Sequence, residues 1–173
     1  MATRHRERPQ WHVGTWWVVR VMQRADWLMS SDAPWVGPIR WRFEVIEEDD
    51  GMFQVEVTIP DGDRPYRAEM RIRQEDFTMV DGTLTVGEHD IPMGLDFLAM
   101  AYEAHLPGID VEGAEGEEAF RFGPSDRDEE PLVLHTFTGP TRAGGTQVSS
   151  RELPYHLRVM EADYTLDLES WAA

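Results

Sequence analysis

Residues 39–72 read IRWRFEVIEEDDGMFQVEVTIPDGDRPYRAEMRI. Ile39, Trp41, Phe43 and Val45 alternate with Arg40, Arg42 and Glu44, and the acidic turn signal Asp49-Asp50-Gly51 follows. Phe53, Val55, Val57 and Ile59 then alternate with Gln54, Glu56 and Thr58. Beyond the Pro/Gly/Asp-rich residues 60–65, Tyr66, Ala68, Met70 and Ile72 alternate with Arg67, Glu69, Arg71 and Arg73. Successive side chains of a strand leave on opposite faces, so these runs predict an antiparallel three-stranded meander with one apolar and one polar face. A one-residue slip would turn every apolar side chain to water, which constrains the register. With the turns centred on the acidic residues, Arg42 is predicted opposite Glu56, and Arg67 and Arg71 diagonal to it. Exposed pairs of this kind contribute about 0.2–1 kcal/mol each and serve register and solubility.

Working outward, residues 11–23 read WHVGTWWVVRVMQ. Val13, Thr15, Trp17, Val19 and Val21 share one face and Trp16, Val18 and Met22 the other, which predicts a strand covered on both sides. Residues 24–38 read as a connection. Downstream, Phe77 to Val86 is predicted as a strand pair turning at Asp81-Gly82. From Ile91 to Leu106 the period lengthens: Leu95, Leu98, Ala99, Tyr102 and Leu106 follow helical spacing, with Asp90 as cap and Pro107-Gly108 as terminator. Residues 110–118 and 125–130 are acidic and read as surface loops around a strand at Ala119 to Phe122. Leu132 to Phe137, Thr146 to Ser150, Tyr155 to Met160 and Tyr164 to Leu168 supply further strands. The expected fold is mainly β: an antiparallel curved sheet or barrel of about nine or ten strands with one buried or lid helix, Ile91 to Leu106. At 173 residues and 41% hydrophobic, a single antiparallel β domain over 11–173 is expected after a disordered basic tail, 1–10, carrying Arg4, Arg6 and Arg8.

Thirty-three acidic residues against sixteen basic ones give a net charge of −17, which repels phosphate backbones and argues against a nucleic-acid partner. Cys, Lys and Asn are absent. Lys and Asn share A/T-rich codons, so their joint absence reads as GC-rich codon bias. Without Lys or Cys there is no Schiff base, thiolate nucleophile, disulfide, iron–sulfur cluster or cysteine zinc site. No apolar run reaches membrane-spanning length. Residues 1–11 are Arg-rich and polar with no signal-peptide pattern, so a cytoplasmic location is expected.

Six of the seven tryptophans fall within the first 41 residues. They are expected to meet in space and, with later aromatics, to line a cavity whose ligand-binding residues are Trp16, Trp17, Trp41, Phe43, Phe97 and Tyr102. A packed core corner is the plain alternative. His12, His89, His105, His135 and His156 lack metal-site spacing, so no metal is expected, and no cofactor. Ser149 and Ser150 lie in no nucleophile elbow, and no His can be placed beside them, so no catalytic residue is assigned. The acidic runs Glu47 to Asp50 and Glu112 to Glu118 lack the alternation of a calcium loop. Ala143-Gly144-Gly145-Thr146 reads as a hairpin turn rather than a phosphate cradle.

Gly14-Thr15-Trp16 resembles the Gly-x-Trp signature on the first strand of lipocalin-type barrels, and Arg158 stands where those barrels place a late-strand Arg that packs on that Trp. The predicted helix departs from that pattern by preceding the closing strands. The outline is also similar to curved-sheet lipoprotein carriers of the bacterial envelope. Both resemblances imply an exported carrier, a location residues 1–11 do not signal. The expected function is a non-enzymatic binding protein for a small hydrophobic or lipid-like ligand. The alternative is a protein-interaction or assembly subunit, homo-oligomeric or with another protein partner, using a sheet edge or the Trp-rich N-terminal segment.

Overall fold

The computed structural model describes residues 3–6, 10–24, 34–59, 66–75, 78–86, 88–92, 110–122, 130–141, 144–150, 153 and 156–172. They form twelve strands: β1 (Thr3–Arg6), β2 (Trp16–Arg24), β3 (Trp35–Asp49), β4 (Met52–Ile59), β5 (Tyr66–Arg73), β6 (Met79–Val86), β7 (His89–Pro92), β8 (Asp110–Phe120), β9 (Leu132–Pro140), β10 (Thr146–Ser149), β11 (Arg158–Met160) and β12 (Tyr164–Ala172). Every pairing is antiparallel, in the order β1-β8-β9-β10-β11-β12-β2-β3-β4-β5-β6-β7. Strands consecutive in sequence pair from β2 to β7 and again from β8 to β12. The last strand lies beside β2 and joins the two runs. Eleven strands, β2 to β12, make one sheet, and β1 adds to the first four residues of β8. The sheet is not closed: among the described residues β7 and β8 do not pair.

The expected antiparallel β architecture is present, with several corrections. The strand count is twelve rather than nine or ten. Asp81-Gly82 is not a turn; both lie inside β6, opposite Arg71 and Met70, because a ladder of seven residue pairs to β5 outweighs a local turn preference. Residues 110–118 are strand, not loop. Ala114 to Ala119 are exposed, and acidic side chains suit a strand that meets water. The helix does not begin at Ile91, since Ile91 and Pro92 end β7 opposite Leu84 and Thr83. The described residues contain no helix, and 93–106 lie outside them. Within the stretch 1–10, Thr3–Arg6 is β1 rather than unstructured tail.

The meander of residues 39–72 keeps its predicted faces but not all of its register. Asp50 (φ 47°) and Gly51 (φ 73°) form the two-residue turn that β3–β4 twist favours, so Asp49 pairs with Met52. A bulge between Val45 and Glu47 then sets Arg42 opposite Thr58 and Glu44 opposite Glu56. The offset from the prediction is two residues, an even number, so each side chain stays on its face. Glu56 lies opposite Glu69, with Arg67 and Arg71 diagonal to it as expected. Arg67 bridges Glu56 (2.5 Å) and Glu69 (2.8 Å), while Arg71 turns to Asp81 (2.9 Å).

One cluster unites the inner face: Trp17, Val19 and Val21 of β2, Phe43 and Val45 of β3, Phe53, Val55 and Val57 of β4, Met70 and Ile72 of β5, and Leu166 and Leu168 of β12 are all buried in it. A sheet that buries one face in a single cluster must curl around it, as strand twist allows. The β9–β10 turn packs tightly against the end of β11. A Cβ on Gly145 would stand 2.2 Å from the Met160 carbonyl oxygen and 2.5 Å from a Glu161 carboxylate oxygen. Gly145→Ala is therefore expected to cost about 1–3 kcal/mol in urea unfolding. Gly116→Ala, whose Cβ would meet nothing closer than 3.6 Å, is expected to stay within about 0.5 kcal/mol of the parent.

Candidate functional site

The inner face carries an aromatic row built by adjacent strands. Trp17 lies directly opposite Phe43, and their rings stack at 5.3 Å with 6° between planes. Trp41, two residues along β3, lies opposite Val19 with its ring 6.5 Å from Phe43. Trp11 closes the other side, stacked on Trp17 at 4.9 Å and edge-on to Phe53 at 5.6 Å. A pinned turn delivers it. His12 N–H donates to Thr15 Oγ1 (3.0 Å), Gly14 N–H to the Val45 carbonyl (2.8 Å), and Val45 N–H to the Thr15 carbonyl (2.9 Å). Gly14 takes φ 92°, a left-handed conformation that glycine adopts without Cβ strain, so the chain doubles back and lays Trp11 under the sheet.

Trp11, Trp17, Phe43 and Phe53 are buried, which seals this end. Further along β3 on the same face Ile39 and Trp41 are only half-buried, as are Ala68 and Leu84, which continue the Trp17–Phe43–Val57 row across β5 and β6. The inner face thus has a closed aromatic floor and a partly open apolar rim.

Of the residues proposed from sequence, the structure brings Trp17, Trp41 and Phe43 together. Trp16 faces the other side of the sheet, opposite Glu44, with the Arg42 guanidinium 5.3 Å from its ring centroid. Phe97 and Tyr102 lie outside the described residues. Arg158 sits over Phe120 at 5.7 Å and pairs with Asp167 at 2.9 Å. Trp11 and Phe53 were missed as members. Phe53 was legible as inward-facing, but only the turn at Gly14 shows that Trp11 reaches it.

A second constellation was also beyond sequence reading. Ser149 Oγ and His156 Nδ1 share a hydrogen bond of 2.7 Å. Beside them Leu157 N–H donates to the Val148 carbonyl (2.8 Å), although Arg158 is the ladder partner of Val148. His156 is fully buried and Ser149 only 8% exposed. The bond ties the connection between β10 and β11 to the sheet. Burial, reinforced by Glu161 and Asp163, holds the Tyr164 phenol well above its ordinary range, so at neutral pH it is a neutral group. Among the described residues no three His, Asp or Glu side chains are placed to hold a metal ion, and no helix is long and apolar enough to cross a membrane.

Comparison with protein-family models, with curated proteins and with solved structures found no match. The geometry alone therefore carries the functional argument.

Proposed function

We propose that this chain is a non-enzymatic binding protein for a small hydrophobic or lipid-like ligand that lies against the half-buried part of the inner face. The observation that carries this reading is the half-buried Trp41, on an otherwise apolar face, beside the buried Trp17–Phe43 stack. Apolar area left in contact with water forgoes about 25 cal/mol per Å², which a ligand covering Trp41, Ile39, Ala68 and Leu84 would recover. Pockets for such ligands are concave and mostly apolar, with aromatic walls. The sealed floor supplies rigidity, so little ordering cost is left for the binding step.

Titration with palmitate, followed by tryptophan fluorescence, tests the reading. Saturable quenching is expected. Trp41→Ala is expected to weaken it about tenfold, equivalent to about 1.4 kcal/mol, because half of a large ring's contact is removed. Trp16→Ala, on the opposite face, should leave the affinity unchanged. Quenching that never saturates, or equal affinity in the Trp41 variant, would overturn the proposal.

The open sheet favours a second reading, an interaction or assembly subunit. Its terminal strands are β1 and β7, and β8 exposes residues 114–119. Unpaired strand edges accept an added strand from a protein partner or a second copy. A defined oligomer in light scattering together with no palmitate binding would favour this reading over the first.

A further inference from the structure

Residues 114–120 of β8 pair on one side only. Each lies opposite a residue of β9, from Ala114 against Thr138 to Phe120 against Leu132, while β1 takes only residues 110–113. Among the described residues no strand pairs with the other side of 114–120. That side is open to water, since every residue from Ala114 to Ala119 is exposed. Gly116 has no side chain, so its exposure is exposure of the backbone. An extended backbone in this state offers N–H and C=O groups that template a further strand.

Alternation along β8 decides what such a strand would meet. Glu115, Glu117 and Ala119 share one face, on which Val133 of β9 lies opposite Ala119 and is 63% exposed. His135 lies opposite Glu117. On the other face Glu118 stands 3.9 Å from Arg158, which already holds Asp167 at 2.9 Å, and Arg121 lies beyond the end of the strand. The edge therefore runs from an acidic half to an apolar end. Charge by itself protects an edge against stray pairing, but an exposed valine at its end does the opposite. We propose that this edge is the docking site for an extended basic segment of another protein, added antiparallel to β8, with basic side chains facing Glu115 and Glu117 and an apolar one covering Ala119 and Val133.

Docking here rests on the assembly reading above and names its edge and its partner. Every pairing in the sheet is antiparallel, and such ladders are slightly more stable per residue than parallel ones. A second copy of this chain is the wrong occupant, because β8 against β8 sets Glu against Glu in a chain of net charge −17. The composition that suits β8 is shown by β1, whose Arg4 and Arg6 stand at the register positions of Glu112 and Asp110. Trp41 lies on β3, with β9 to β12 and β2 in between, so the outcome is independent of the palmitate proposal.

The test titrates the full chain with a labelled heptapeptide, TVTRTRT, blocked at both ends. In the antiparallel sense its valine and two arginines fall against Ala119, Glu117 and Glu115. Saturable binding by fluorescence anisotropy is expected, with amide shifts in residues 114–120 and none in β7. The reversed peptide TRTRTVT, of equal charge and composition, should bind about fivefold more weakly, because one cross-strand pair of each kind is lost. Glu117→Arg, at an exposed position, should keep the urea midpoint and weaken TVTRTRT about fivefold, since attraction is replaced by repulsion of similar size. Methylating the amide nitrogens of one alternate set of peptide residues should abolish binding while methylating the other set leaves it, because only every second N–H of an added strand faces its neighbour. No saturable binding, equal affinity for the two peptides, unchanged affinity in the folded Glu117→Arg variant, or an equal response to the two methylations would each overturn the assignment. A defined oligomer of this chain that binds no peptide would keep the assembly reading and overturn this site.

Discussion

Replacement of Trp17 by alanine is expected to lower the stability of the fold by about 3–5 kcal/mol, the range for deleting a large buried aromatic. Trp17 has no exposed surface and is held between two rings, Trp11 at 4.9 Å and Phe43 at 5.3 Å. Truncation removes its own buried area and both stacking contacts. It also leaves Trp11 resting on Phe53 alone among the ring contacts given above. The surrounding strands are tied by ladders on both sides of β2, so the space collapses only in part and a cavity term adds to the transfer term. A urea transition should move to lower denaturant at unchanged slope, which separates lost stability from a changed unfolded state. Trp17→Phe, which keeps an aromatic face toward Phe43, should lose less than the alanine variant. A loss below about 1 kcal/mol for alanine would mean that this end of the inner face is not a packed floor.

Leu166→Ala carries the next largest expected effect, about 2–5 kcal/mol. Leu166 is fully buried, opposite Val21 of β2 on one side and Val159 of β11 on the other. It sits on the seam where the two runs of consecutive strands meet, since β12 and β2 are the neighbours that join them. Weakening that seam loosens β2–β7 from β8–β12 as well as opening a cavity. Hydrogen exchange should therefore show protection falling together at Val21 and Leu166, ahead of Val55 and Met70 in the meander. If exchange accelerated at Leu166 alone, the seam would not be what unites the sheet.

The same contrast between meander and seam separates what was legible in the chain from what was not. The faces of β3, β4 and β5 could be read directly: Phe43, Val45, Val55, Val57, Met70 and Ile72 were predicted inward and are buried. The diagonal of Arg67 and Arg71 to Glu56 was also legible. The bulge after Val45 was not, because an extra residue leaves no mark on alternation until a partner strand shows which residue is skipped. The acidic β8 was hidden for a related reason. Its sequence has no apolar face, and it is strand because β9 supplies a ladder. At the candidate site, Trp17, Trp41 and Phe43 were foreseen as neighbours, whereas Trp16 belonged to the other face by the same alternation that placed Trp17.

By itself, the sequence determined an antiparallel β fold and which side of each middle strand is greasy, because those properties follow from the covalent alternation of side chains along an extended backbone. Only the tertiary structure decided that β12 lies against β2, that Trp11 turns back onto Trp17, and that Ser149 meets His156. Each of those depends on residues that alternation along one strand does not relate, and such partners are chosen by how the whole sheet curls around one core.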